Sequence, residues 1–170
     1  MKTIVVYFSR GDEEYNVGEV HPGNTELLAK EIIAKINADE FKIVPEKPYP
    51  TSYMDCVNLA TEELKNQVRP TYEGEVDLTD YDTIFLGYPI WWGDLPMVVY
   101  TFLENHDLTG KTIIPFNTHE GSGNSGTYKG LQEKFKGATF KGDGFNMSGS
   151  TARTDNGIKQ LDTWLETLDI

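Results

Sequence analysis

Ile4-Val5-Val6-Tyr7-Phe8 is five apolar residues in a row, rich in β-branched and aromatic side chains, with the polar pair Ser9-Arg10 directly behind it. A run without alternation suits a strand covered on both faces, because side chains of either parity then meet apolar neighbours. Working outward, Asn24-Thr25-Glu26 opens a helical pattern with Leu28, Ile32 and Ile36 at i, i+4 and i+8. Phe41 to Pro45 reads as a short second strand, and Pro45, Pro48 and Pro50 then break the chain into a loop. Residues 53–67 predict a helix with Met54, Val57, Leu64 and Val68 near one face, and residues 69–81 a polar surface connection. Thr83 to Gly87 and Thr112 to Phe116 are two further buried strands, each followed by a loop and a helix, Leu95 to Asn105 and Ser125 to Phe135. A fifth, Gly-interrupted strand falls within 138–147. The closing helix is Asp155 to Leu168, with Ile158, Leu161, Trp164, Leu165 and Leu168 on one face. Strands alternating with helices build an α/β domain: a parallel sheet of five strands with helices on both faces, in three layers.

The 170 residues suit a single domain, 1–170, and no repeat or linker divides them. Hydrophobic residues at 38% and charged residues at 25% belong to a folded chain. The formal net charge of −12 repels phosphate backbones and anionic lipid headgroups, so neither nucleic acid nor membrane is expected as a partner, while a basic protein is. One cysteine, Cys56, excludes an internal disulfide framework, and the N-terminal apolar run is too short for a signal peptide or a span. The expected location is cytoplasmic.

In doubly wound sheets ligands bind beyond the carboxyl ends of the strands, which directs attention to the loops 9–25, 88–94 and 117–125. The first ends in Gly23-Asn24-Thr25 at a helix start, where small residues, side-chain donors and unsatisfied amides suit a phosphate; an ordinary N-cap uses the same residue types. Ser9 would add a hydroxyl from the strand end. The second loop, Tyr88-Pro89-Ile90-Trp91-Trp92-Gly93-Asp94, holds two adjacent indoles. One is expected to plug the core, and stacking on a planar ligand is the functional reading of the pair. Gly93 permits backbone conformations closed to other residues. The third loop, Asn117-Thr118-His119-Glu120-Gly121-Ser122-Gly123, offers backbone amides to the edge of a heterocycle; His119 is either a proton donor or a solvated, helix-capping histidine.

Two motifs are decoys. Gly110-Lys111-Thr112 lacks the earlier Walker glycine and precedes a strand. Gly121 to Gly126 fits G-x-G-x-x-G, but it comes late in the chain and behind a lengthened turn. No metal site is expected from three scattered histidines, and no catalytic triad or other catalytic side chain is assigned. The acidic run Asp12-Glu13-Glu14 reads as a solvated loop.

Taken together, Ser9 with Gly23-Asn24-Thr25 resembles a flavodoxin phosphate loop split by an insertion, and Tyr88 to Gly93 and Thr118 to Gly123 resemble the two flavin-ring loops of that family. The resemblance implies a flavodoxin-like fold with strand order 2-1-3-4-5 and non-covalent FMN. It implies that Ser9, Asn24 and Thr25, with Arg10 adjacent, hold the phosphate. Pro89, Ile90, Trp91 and Trp92 would line the flavin, with Gly93 near its N5. Asn117, Thr118, His119, Glu120, Gly121, Ser122 and Gly123 would wrap the other side. This sequence has His119 and no aromatic where flavodoxins commonly place an outer tyrosine. The insertion Gly11 to Pro22 could bring Tyr15 and His21 to the ligand. The implied function is electron transfer with a basic redox partner protein. The alternative is an NAD(P)H-dependent quinone reductase, with NAD(P)H and a quinone as partners.

Overall fold

The computed structural model describes residues 2–14 and 17–170. Strands β1 (Thr3–Tyr7), β4 (Asp39–Lys42), β5 (Thr83–Pro89) and β6 (Thr112–His119) form a parallel sheet in the order β4-β1-β5-β6. Its far edge is shared by β7 (Thr139–Phe140) and β8 (Phe145–Ser148), which both pair with β6. Counting β7 and β8 as one interrupted strand, the order is the expected 2-1-3-4-5. The interruption turns through Gly142 and Gly144, both at positive φ near 70°.

Alternate residues of β1 enter opposite layers, as a two-residue period requires. Ile4, Val6 and Phe8 pack with Leu86, Tyr88 and Phe102 on one face; Val5 and Tyr7 pack with Phe85, Phe116, Leu28 and Leu161 on the other. The first layer carries α2 (Tyr53–Lys65), α3 (Met97–Glu104) and α4 (Thr127–Lys134). The second carries α1 (Asn24–Ile36), the short α5 (Gly149–Ala152) and α6 (Asp155–Glu166).

Four expectations change. The second strand starts at Asp39, two residues before the apolar run, because pairing with β1 sets its register (Ile4 opposite Asp39) and an edge strand tolerates charge. Helix α2 buries Cys56, Ala60 and Glu63, while Met54 is 58% exposed and Val68 lies beyond the helix and is exposed. Hydropathy misses that face because its residues are small or, for Glu63, paired: the buried carboxylate accepts from the Tyr49 hydroxyl at 2.7 Å. The connection 69–81 sends Tyr72 and Leu78 into the core, with Tyr72 against the rings of Phe41 and Phe102. Finally, the acidic run is a strand: β2 (Asp12–Glu14) pairs with β3 (Gly18–Val20) as a hairpin. His21 faces that hairpin's Asp12 and Glu19 at 3.5 and 3.7 Å. Tyr15 lies outside the described residues.

Candidate functional site

A cavity of about 220 Å³ lies beyond the carboxyl ends of β5 and β6. Its walls come from four places: Arg10 and Asn24 at the first loop, Pro89 to Trp92 at the second, Thr118 to Glu120 at the third, and Tyr53, Cys56, Val57 and Ala60 on α2. The α2 wall escapes sequence reading. Its only trace is the pair of small residues Cys56 and Ala60 at helical spacing, a pattern shared with any packed helix.

At the first loop, Gly23 is the N-cap of α1 and brings no side chain to it. Ser9 substitutes from β1's end, its Oγ accepting from the Glu26 amide at 2.9 Å, and so keeps a hydroxyl proton to donate elsewhere. A Cβ on Gly23 would overlap the Arg10 carbonyl, so this close crossing demands glycine. Thr25 is 1% exposed, with its hydroxyl 2.8 Å from that of Thr118, which joins the first and third loops. Arg10 borders the cavity, but its Nη2 donates to the carbonyls of Pro50 and Thr51 at 2.9 and 2.8 Å. The guanidinium thus anchors the segment entering α2. The Asn24 amide borders the cavity as well, and its Oδ1 accepts from Arg153 Nε at 2.8 Å. Arg153 is a neighbour the sequence reading did not foresee.

The two indoles part company. Trp91 sets its ring edge-on to Phe8 and Tyr49, with centroids 5.2 and 4.9 Å apart, and belongs to the core wall. Trp92 is 60% exposed at the cavity's border. Reciprocal hydrogen bonds between Trp91 and Asp94 close a two-residue turn over Trp92 and Gly93, whose φ values are 53° and 72°. Both positive, they describe a type I′ turn. A left-handed tryptophan costs about 1 kcal/mol or more, and such strain collects at functional sites. Asp94 secures the far side, its Oδ1 accepting from the Leu95 amide at 2.7 Å and the Tyr100 hydroxyl at 2.5 Å.

The third loop divides in the same way. Asn117 is fully buried and does not line the cavity. Its Nδ2 donates to the Gly123 carbonyl at 3.0 Å, and its Oδ1 accepts from Tyr128 at 2.6 Å. It therefore shapes the loop from beneath. Gly121, Ser122 and Gly123 form the turn above it and stand outside the cavity lining. Glu120 borders the cavity, with Oε1 accepting from the Gly149 amide at 3.1 Å. His119 Nδ1 accepts from the Gly121 amide at 2.9 Å, which assigns the neutral ring's proton to Nε2.

Burial depresses the His119 pKa below its ordinary 6.5, against an opposing hydrogen bond with Asn146. With the folded value below the unfolded one, this contribution to stability is whole above about pH 6.5 and is lost as pH falls through the folded value. Protonation also removes the acceptor for Gly121. Acidification from about pH 7 to about pH 5 should therefore lower the thermal midpoint more in the unmodified protein than in His119→Gln, which cannot titrate there. Equal shifts in the two would sink the assignment.

Among the described residues no group of His, Cys, Asp and Glu is arranged to hold a metal, and no helix is long and apolar enough to cross a membrane.

A family model described as Flavodoxin matches residues 2–168. Similar solved structures include two candidate flavoproteins from Bacteroides. That of B. uniformis ATCC 8492 is 30% identical, with a TM-score of 0.76 and 97% of each chain covered. That of B. eggerthii DSM 20697 is 28% identical, with a TM-score of 0.77, covering 99% of this chain and 98% of the other. A Lactobacillus acidophilus NCFM flavoprotein solved in complex with FMN shares the fold at 18% identity and a TM-score of 0.68, covering 96% of this chain and 98% of its own. No curated protein sequence matches the chain.

Proposed function

The chain belongs to the flavodoxin family, and on that premise we propose that it holds FMN non-covalently and transfers electrons to a basic redox protein. The observation that carries this reading is the meeting, at one cavity, of α1's start with Trp92 and the apolar wall of Ile90, Val57 and Ala60. The residues fit the group. Gly23 brings no capping side chain to α1, Ser9 Oγ takes only the Glu26 amide and keeps its proton, Asn24 borders the cavity with Thr25 behind it, and an indole borders the apolar space. Amides at a helix N-terminus suit a phosphate ester, and a flat aromatic suits a tricyclic ring.

When bound, FMN supplies one- and two-electron redox chemistry. The chain's part is to bind it, orient it and set the field around it. Ser9, Asn24 and Thr25 would hold the phosphate. Trp92 would flank the ring on one side, with Trp91 in the wall behind it and Gly93 beside it, and Thr118, His119 and Glu120 would border the other. A net charge of −12 opposes the addition of negative charge within the site, which lowers the potential of the second electron and attracts a basic partner.

A second reading, an NAD(P)H-dependent quinone reductase, is favoured by one feature. The ring loop offers His119 and small residues in place of an aromatic cover, leaving a face for a nicotinamide. An anaerobic reductive titration of the FMN-loaded chain tests both. Two resolved one-electron steps, the second below that of free FMN, with negligible NAD(P)H oxidation by quinone, support the carrier. Turnover with NAD(P)H and quinone moves the assignment to the reductase. Failure to retain FMN removes both readings.

The indoles supply a sharper check. Trp92→Ala should weaken both FMN and riboflavin by about 1–3 kcal/mol, by analogy with base stacking on aromatics, and leave the melting temperature nearly unchanged. Trp91→Ala should instead destabilise the fold by about 1–3 kcal/mol, the worth of its two ring pairs. Flavin titration and thermal melts of the two variants decide it, and reversed roles would overturn the assignment.

A further inference from the structure

Arg153, at the end of α5, reaches back across 129 residues of sequence to the first loop. Its Nε donates to Asn24 Oδ1 at 2.8 Å and its Nη2 to the Pro22 carbonyl at 2.5 Å. A guanidinium has donors only, so it fixes which way the Asn24 amide faces: Oδ1 must point to Arg153, and Nδ2 then occupies the opposite edge. Asn24 is 7% exposed and borders the cavity, and with Oδ1 turned to Arg153 its Nδ2 lies against Gly149, on the side of the Glu120 carboxylate.

The charge of Arg153 adds an independent observation. Asn24 is the first residue of α1, and the start of a helix is the positive end of its dipole. A cation hydrogen-bonded there has the wrong sign for the helix alone. It has the right sign once an anion shares the site: Glu120, whose Oε1 accepts from Gly149 next to Asn24 Nδ2, is one such anion from the chain itself, and a phosphate would be a second.

The segment 148–153 also touches the third loop, since the Gly149 amide donates to Glu120 Oε1. A Cβ on Gly149 would overlap both Asn24 Nδ2 and Glu120 Oε1, the ends of two flexible side chains that border the cavity. One short turn therefore spaces a residue of the phosphate-side loop from a residue of the ring-side loop.

We infer that Arg153 is a positioning residue for the phosphate end of the flavin site, acting by orienting the Asn24 amide and bracing the turn at Pro22. This rests on the FMN reading above and adds to it a specificity element for the phosphorylated flavin. The loss of one charge-assisted hydrogen bond is the scale of the effect, so Arg153→Gln should raise the FMN dissociation constant about tenfold. Riboflavin, without a phosphate, should change by about twofold or less, the scatter of independent sites. In an Asn24→Ala background the same replacement should add almost nothing, because its route is already gone. Gly149→Ala displaces both Asn24 and Glu120 while retaining the cation, so it should weaken both flavins, FMN by the larger factor.

Flavin fluorescence titrations of the chain with FMN and with riboflavin, beside thermal melts, read all of these. FMN-selective loss in both single variants with a non-additive double variant supports the inference. Equal losses for the two flavins in Arg153→Gln, or full additivity with Asn24→Ala, overturn it while leaving the FMN reading intact. Should Arg153→Gln fail to fold, an FMN-selective loss in Gly149→Ala supports the inference and unchanged selectivity overturns it. An unmodified chain that binds neither flavin overturns the proposed function and this inference with it.

Discussion

Gly87→Ala should destabilise the protein by about 1–3 kcal/mol, the usual cost of forcing an added carbon into a packed core. Gly87 lies in β5 directly between Tyr7 of β1 and Phe116 of β6, so the three residues form one row across the sheet. Tyr7 and Phe116 are both fully buried. The absent side chain is the space into which the Phe116 ring lies. An alanine Cβ would overlap Cζ and Cε2 of that ring and stand 2.9 Å from Cε1. The ring has packed neighbours on its other side and cannot withdraw without disturbing the layer beneath α1 and α6. Urea unfolding should show an earlier midpoint. Phe116→Leu, costly alone, should recover part of the loss when combined with Gly87→Ala, because the two share the same volume. An unchanged midpoint in the single variant would mean that the row relaxes freely.

Thr25→Val should raise the FMN dissociation constant more than that of riboflavin, and should also destabilise the chain by about 1–3 kcal/mol. Valine keeps the volume and removes only the hydroxyl. Thr25 and its partner Thr118 are 1% and 3% exposed, with their oxygens 2.8 Å apart. Removing one leaves the other, almost fully buried, without its partner, and that desolvation cost is the stability penalty. The binding penalty has a different origin. It follows from the lost donor at the second residue of α1, where only the phosphorylated flavin would make use of it. Chemical denaturation separates the first effect, and paired titrations with the two flavins separate the second. Equal binding losses would place the phosphate elsewhere.

The contrast between Trp91 and Trp92 marks how far the chain itself can be read. Both carry the same side chain in the same loop. One is seated against Phe8 and Tyr49 and the other is mostly exposed, because Trp91 precedes the turn and Trp92 stands at its tip with positive φ. Periodicity has no purchase on a loop, so only the folded geometry distinguishes them. Helix α2 fails for a related reason. Its inner face is Cys56, Ala60 and Glu63, and its apolar Met54 faces outward. Hydropathy ranks residues by what they prefer, whereas burial there depends on size and on the hydroxyl that Tyr49 offers Glu63.

By itself the sequence determined an α/β parallel sheet with helices on both faces, because its central strands are continuous apolar runs alternating with helices, while the strand order 2-1-3-4-5 came from the flavodoxin resemblance. It also determined which three loops converge, since those loops follow the carboxyl ends of the strands. What tertiary structure alone decided is how the loops are held. Arg10 is turned to the segment before α2, Asn117 is buried beneath its loop with Tyr128, and Arg153 is brought to Asn24 from the far end of the chain. These are hydrogen bonds between residues distant in sequence or packed within loops. They are set by where the backbone passes, and no local pattern of hydrophobicity encodes them.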